Sequence, residues 1–308
     1  MMFKKLVAWL LPLALLLPFQ GLKLLKEDSF PMPGLADGFV PQGICTDGEH
    51  FFISGYYPDG TESCIWVTDE RSGRVLGCVR LEGYTGHAGG IALCGDRLYI
   101  ASGSKIRMLD REEVLAHPGG KAAFRMTYPV HTNASFITCA PDGTLWVGEY
   151  RYRDTYTTDP THGGAWLAGY ATDADGLPVL TDERLLPTAV VSIPDKVQGV
   201  SFLSDGVMAL SVSAGLQMSE LLLVPSPKGS APDTVEVGGV AVPHYTRTEV
   251  LQRIYLPPML EETAVLDGRL YLVFESAARK FPTHFFGLKN VYAIDPSAAV
   301  RQAAIQEE

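Results

Sequence analysis

The chain has 308 residues, 46% of them hydrophobic and 19% charged, which is long enough for a large buried core and rules out a disordered polymer. Its formal net charge of −10, with no basic cluster to offset it, excludes a nucleic-acid binder held by phosphate contacts. Thirty-one Gly and 21 Pro suit many short strands joined by tight turns.

In chain order, two lysines precede an uncharged stretch over residues 6–22, LVAWLLPLALLLPFQGL. This pattern matches the charged and apolar regions of a secretory leader. As a helix it spans about 25 Å, slightly short of the ~30 Å hydrocarbon core of a bilayer. Pro12 and Pro18 interrupt it, and no good small-x-small cleavage site follows. The division expected is a leader or membrane anchor over 1–26 and a single domain over 27–308. The folded part is expected outside the cytoplasm, secreted or anchored by that segment.

From Gly43 onward one phrase returns five times: GICTDGEHFFI, GIALCGDRLYI from Gly90, SFITCAPDGTLWV from Ser135, GVSFLSDGVMAL from Gly199 and ETAVLDGRLYLV from Glu262. Each is an apolar run, a Gly/Asp turn and a second apolar run, which is the signature of a hairpin. Recurrence at this period points to radial repetition. The fold expected is all-β, a five-bladed β-propeller with four-stranded antiparallel blades over about 39–295. The last blade lacks its outer strand, and residues near 29–35 are expected to supply it so that the ring closes.

Five cysteines fall in the first half of the chain. Cys45, Cys94 and Cys139 recur on first strands. Cys64 and Cys78 flank a hairpin that sets them almost opposite each other. An oxidising compartment would bridge that pair, and otherwise all five are free thiols. The run DADG at 173–176 imitates a calcium loop, but Arg184 stands at the twelfth position, so it reads as a turn.

The first strand of each blade lines the central channel, and its start lies at the same end as the finish of the second strand. One channel mouth is therefore expected to gather Gln42, Tyr56, His87, His131, Asn133, Glu149, Tyr150, Gln198, Glu262 and Glu275. Of the adjacent Glu261 and Glu262, only one can face the channel. Long loops carrying Tyr152, Tyr156, His162, Phe281, His284 and Phe285 open onto the same mouth. Convergent polar groups beside aromatics suit a small polar molecule, a glycan or a peptide. A monomer is expected.

The openings VPQGICTDGEHFFISGYY and IWVTDERSGRVLG resemble exported bacterial β-propellers of the lactonase-like and YncE-like type. Five blades and the Gln–Gly opening also resemble plant-type glutaminyl cyclases. That family carries a Glu–Gly pair at its second blade; here Gly89 stands in place of the Glu, which leaves Glu149, Glu262 or Glu275 to replace it. The lactonase resemblance implies calcium at the mouth, with Asn133, Glu149, Glu262 and Glu275 as its analogues. The ligand-binding reading requires no cofactor.

Overall fold

The computed structural model describes residues 18–153, 164–203, 206–246, 249–282 and 284–296. The strands are β1 Lys26–Pro31, β2 Val40–Thr46, β3 His50–Tyr56, β4 Cys64–Asp69, β5 Val75–Leu81, β6 Ile91–Cys94 and β7 Arg97–Asp110. There follow β8 Lys121–Ala122, β9 Met126–Cys139, β10 Leu145–Glu149, β11 Ala165–Tyr170, β12 Ala189–Ile193, β13 Val197–Phe202 and β14 Val207–Val212. The last are β15 Ser219–Pro225, β16 Asp233–Val237, β17 Val240–Tyr245, β18 Gln252–Leu256, β19 Leu260–Leu266, β20 Arg269–Phe274 and β21 Asn290–Ile294. Each recurring phrase pairs an inner strand with its antiparallel neighbour, as its pattern requires.

The arrangement is that of a β-propeller. Inner strands pack side by side in the sequence β2, β6, β9, β13, β19 and then β2 again, so they surround a central channel. Hydrogen bonding runs outward as β2-β3-β4-β5, β13-β14-β15-β18 and β19-β20-β21-β1. The remaining unit differs from the separate sheets expected. The strand β9 pairs with β7 through its first part and with β10 through its second, so two sheets merge into one of eight strands.

The ring closes where expected, a few residues early. In β1, Phe30 lies opposite Val291 and Pro31 opposite Asn290, which gives the last sheet its outer strand. Before it, residues 18–25 are helical, and Leu22 is buried against Leu221, Leu256 and Leu270. Chain packed on the propeller thus begins before residue 27. Residues 1–17 and 297–308 lie outside the described residues.

Apolar side chains fill the gaps between neighbouring sheets rather than a single centre. One cluster joins Ile44, Phe51 and Phe30 to Ala264, Tyr271 and Val291. There the Phe51 ring lies 4.5 Å from Tyr271 and 5.3 Å from Phe30. Similar clusters lie between β2 and β6, β6 and β9, β9 and β13, and β13 and β19. Each large side chain so buried contributes about 1.5–3 kcal/mol, so the gaps hold the sheets in register.

Outer edges are covered by insertions from the following sheet. The short β8 pairs in parallel with β5. The Pro/Gly/Ser-rich excursion near 226–244 forms the β16–β17 hairpin, whose β17 pairs in parallel with β12. His244 Nε2 lies 2.8 Å from the Ser192 hydroxyl across that junction, and both residues are buried. These additions shield edges that would otherwise pair with another chain.

The turn at 173–176 is as expected: Asp173 Oδ1 accepts from the N–H groups of Asp175 and Leu177. The cysteine hairpin follows the free-thiol alternative, with a register different from the one expected. A register shift between Val67 and Thr68 sets Cys64 opposite Arg80 and Cys78 opposite Trp66, so the two thiols are diagonal, and all five cysteines are free.

Candidate functional site

The start of each inner strand determines the site. In four sheets the pairing there admits one extra residue, a β-bulge, which re-aims side chains. Pro41 pairs with Gly55 and Gly43 with Ser54, leaving Gln42 as the extra residue. Ser135 is extra between Ala134 and Phe136, and Gln198 between Val197 and Gly199. Between Leu260 and Thr263, two residues, Glu261 and Glu262, stand against one. The bulged residues Gln42, Ser135, Gln198 and Glu261 line one cavity of about 390 Å³ at the channel mouth.

Seven of the sequence candidates line this cavity: Gln42, Tyr56, His87, Asn133, Tyr150, Gln198 and Glu275. Glu261, the other member of the adjacent pair, lines it too, as do Lys280, Ser102 and Ser135. The three other candidates lie elsewhere. His131 packs beside Gly238 at the β16–β17 turn, because the first part of β9 still belongs to the outer edge of its sheet. Glu149 is buried, with Oε1 accepting from Asn133 N–H at 3.1 Å and Oε2 from Trp166 N–H at 3.0 Å. Such a carboxylate ties three strands of one sheet together. Replacing Glu149 by Ala is expected to cost about 2 kcal/mol in a denaturant titration, because two buried N–H groups lose their acceptor. Tyr156 and His162 lie outside the described residues.

Glu262 occupies the channel axis and lines neither the mouth cavity nor the 280 Å³ cavity at the opposite end. Its Oε2 accepts from Ile44 N–H at 3.1 Å and Ile91 N–H at 2.8 Å, while Oε1 accepts from Ile137 N–H at 3.1 Å. One carboxyl group therefore joins β2, β6 and β9. Glycines make the room: a methyl group on Gly90 would lie 2.3 Å from Oε1, and one on Gly43 would lie 2.7 Å from Oε2. Burial pushes the Glu262 carboxyl well above its ordinary range, and the three N–H donors pull it back.

The mouth holds a different kind of carboxyl chemistry. Gln42 Nε2 donates to Glu275 Oε2 at 3.0 Å, and Gln198 Nε2 donates weakly to Glu261 Oε1 at 3.4 Å. Burial raises Glu275 to about 7, although Lys280, Gln42 and Glu261 each favour its charged form. Glu261 is raised further still, by burial and then by the neighbouring charges of Glu275 and Glu262. The two therefore behave as a pair that shares a proton near neutrality.

Lys280 hydrogen-bonds the Tyr56 hydroxyl, with its Nζ 5.1 Å from the Tyr56 ring centre and 5.2 Å from that of Phe281. Burial opposes its charge, but Tyr56, Glu275 and Glu261 outweigh that and hold Lys280 above its usual value. The His87 ring lies 4.4 Å from Tyr56. Burial, and then Lys280, depresses His87 to about 4, so it is neutral at physiological pH. Tyr150 is raised by burial and by Glu261, and stays a phenol. The mouth thus offers a donor–acceptor carboxyl pair, one ammonium, one neutral imidazole and several amides.

Asn133, Glu149, Glu262 and Glu275 do not surround one point, since Glu149 and Glu262 are spent on backbone amides. Among the described residues, no group of three His, Cys, Asp or Glu side chains is placed to hold a metal ion.

No protein-family model and no curated protein matches the sequence. Solved structures share the fold. The chain is similar to glutaminyl cyclase from Myxococcus xanthus, with 13% identity and a TM-score of 0.50 over 87% of this chain and 94% of that one. It is equally similar to the PQQ-bound aldose sugar dehydrogenase of Streptomyces coelicolor, with 16% identity and a TM-score of 0.50 over 83% of this chain and 94% of that one.

Proposed function

We propose that this chain is a five-bladed, exported propeller that binds a small polar molecule, glycan or peptide end at the mouth, with Glu261 and Glu275 as its central contacts. The observation that carries this reading is the carboxyl pair of buried Glu261 and half-buried Glu275, flanked by Gln42 and Lys280, on the wall of a polar cavity. A pair holding one proton can both donate to and accept from the hydroxyl, amine or amide groups of a ligand. Tyr56 and Tyr150 add apolar faces for the ligand's carbon skeleton. The five inner strands and the clusters between their sheets support the blade count.

Calorimetry with N-acetylglucosamine and with the dipeptide glutaminyl-glycine tests it. At least one is expected to bind, and Glu261→Gln is expected to weaken that binding about tenfold, the loss of one hydrogen bond to the carboxyl pair. If neither probe binds, or if Glu261→Gln binds as tightly as the wild type, the reading fails.

A second reading is cyclisation of an N-terminal glutamine, supported by the same carboxyl pair and by the fold shared with the Myxococcus xanthus enzyme. The amine nitrogen would attack the side-chain amide carbon. The carboxylate would take a proton from the amine and return it to the departing ammonia. Ammonia release from glutaminyl-glycine, reduced about 100-fold or more in Glu261→Gln or Glu275→Gln, is the expected result. Binding without ammonia release removes this reading and leaves the first.

A further inference from the structure

We propose that the mouth rim built by β13–β15 and β19–β21 rests on a lipid bilayer, so that the cavity opens at a membrane surface. Two neighbouring connections at the mouth end expose large apolar side chains. Leu216 and Met218, between β14 and β15, are 65% and 45% exposed; Phe285 and Phe286, between β20 and β21, are 74% and 86% exposed. Arg279 and Lys289 are exposed on the same connection as the phenylalanines, and Lys196 Nζ donates to Gln217 Oε1 beside Leu216. Apolar tips among cationic side chains are the composition that settles at a headgroup boundary.

The course of the chain selects a bilayer over other occupants. Lys26 lies opposite Ile294, at the end of β21 remote from the mouth. The helical residues before it turn back. Gly21 packs beside the carbonyl of Tyr255, which pairs with Glu220 near the mouth end of β15. Leu22 is buried between the same two sheets that carry the apolar rim. Residues 18–22 therefore lie along this side of the body, near the mouth end of β15, and the sequence just before them is the apolar part of the uncharged stretch 6–22, behind Lys4 and Lys5. Insertion of the apolar part of that stretch upstream of the packed residues 18–22 would bring Leu216, Met218, Phe285 and Phe286 against the headgroups. Among the described residues no helix is long and apolar enough to cross a membrane, so the rim supplies contact, not a span.

The test uses the full chain with vesicles of phosphatidylcholine and phosphatidylglycerol, some bearing brominated acyl chains as fluorescence quenchers. Phe286→Trp adds a fluorophore on the rim, and Glu49→Trp adds one in the β2–β3 turn at the opposite end. After subtraction of wild-type emission, brominated vesicles are expected to quench the added emission at 286 at least twofold more than that at 49. The triple variant Leu216→Ser, Phe285→Ser, Phe286→Ser is expected to lower vesicle affinity at least fivefold while its melting temperature holds. Equal quenching at both ends, or a chain that remains off the vesicles, overturns the proposal. So does a rim that captures a soluble peptide instead. None of these readouts depends on what the cavity binds.

Discussion

Replacing Glu262 with Ala is expected to destabilise the fold by about 4 kcal/mol, since three buried N–H donors lose their carboxyl acceptor at about 1–3 kcal/mol each and water restores only part. For a domain of this size that corresponds to a melting temperature lower by roughly 8–12 °C. The carboxyl group joins Ile44, Ile91 and Ile137, each on a different inner strand, so its loss opens the ring where no apolar cluster can compensate. Glu262→Gln is expected to fall between the two, because its amide keeps one acceptor but turns its NH₂ towards backbone donors. Thermal melts of both variants beside Glu49→Ala, an exposed control, measure the effect. A loss under about 1 kcal/mol for Glu262→Ala would show that the ring does not depend on this contact.

Glu275→Gln is expected to stabilise the protein relative to wild type as pH rises, by up to about 3 kcal/mol at pH 8. The folded carboxyl titrates near 7 against an ordinary 4.5, so the folded state holds a proton that the unfolded state has released. Its stabilising contribution is fully present below about pH 4.5 and is lost as pH rises through 7. His87 works in the opposite sense. Its folded value near 4 lies below the ordinary 6.5, so its contribution is present above 6.5 and is lost as pH falls through 4. His87 is solvent-exposed, so its opposing share is small, and the readout is the difference between wild type and Glu275→Gln across pH 4–8. A difference that stays flat with pH would contradict the raised carboxyl.

Much of this fold could be read from the chain because turn chemistry and strand alternation agree locally. The five hairpin phrases and the closing role of the segment around Phe30 follow from that agreement. What escaped the reading has a common cause: bulges and bends alter which way a side chain points without altering composition. The extra residue between Leu260 and Thr263 sends Glu261 to the mouth and Glu262 to the axis. Another register shift sets Cys64 diagonal to Cys78. The bend in β9 carries His131 away from the mouth while Asn133, two residues on, lines it. A signal was present: Gln42–Gly43 and Gln198–Gly199 pair a polar residue with a glycine, as a bulge beside an occupied axis requires. Lys280 gave none, since a lysine in a loop carries no mark of the side chain it will meet.

The most direct measurement of the shared proton is a ¹³C NMR titration of protein labelled at glutamate side-chain carboxyl carbons, in wild type, Glu261→Gln and Glu275→Gln. One wild-type resonance is expected to titrate near 7 and to vanish in Glu275→Gln, with Glu261 staying protonated well above the ordinary range because burial and the charge of Glu275 both hold its proton. If every glutamate titrates between about 4 and 5 in the folded protein, the mouth holds two ordinary solvated carboxylates, and the account of the site is wrong.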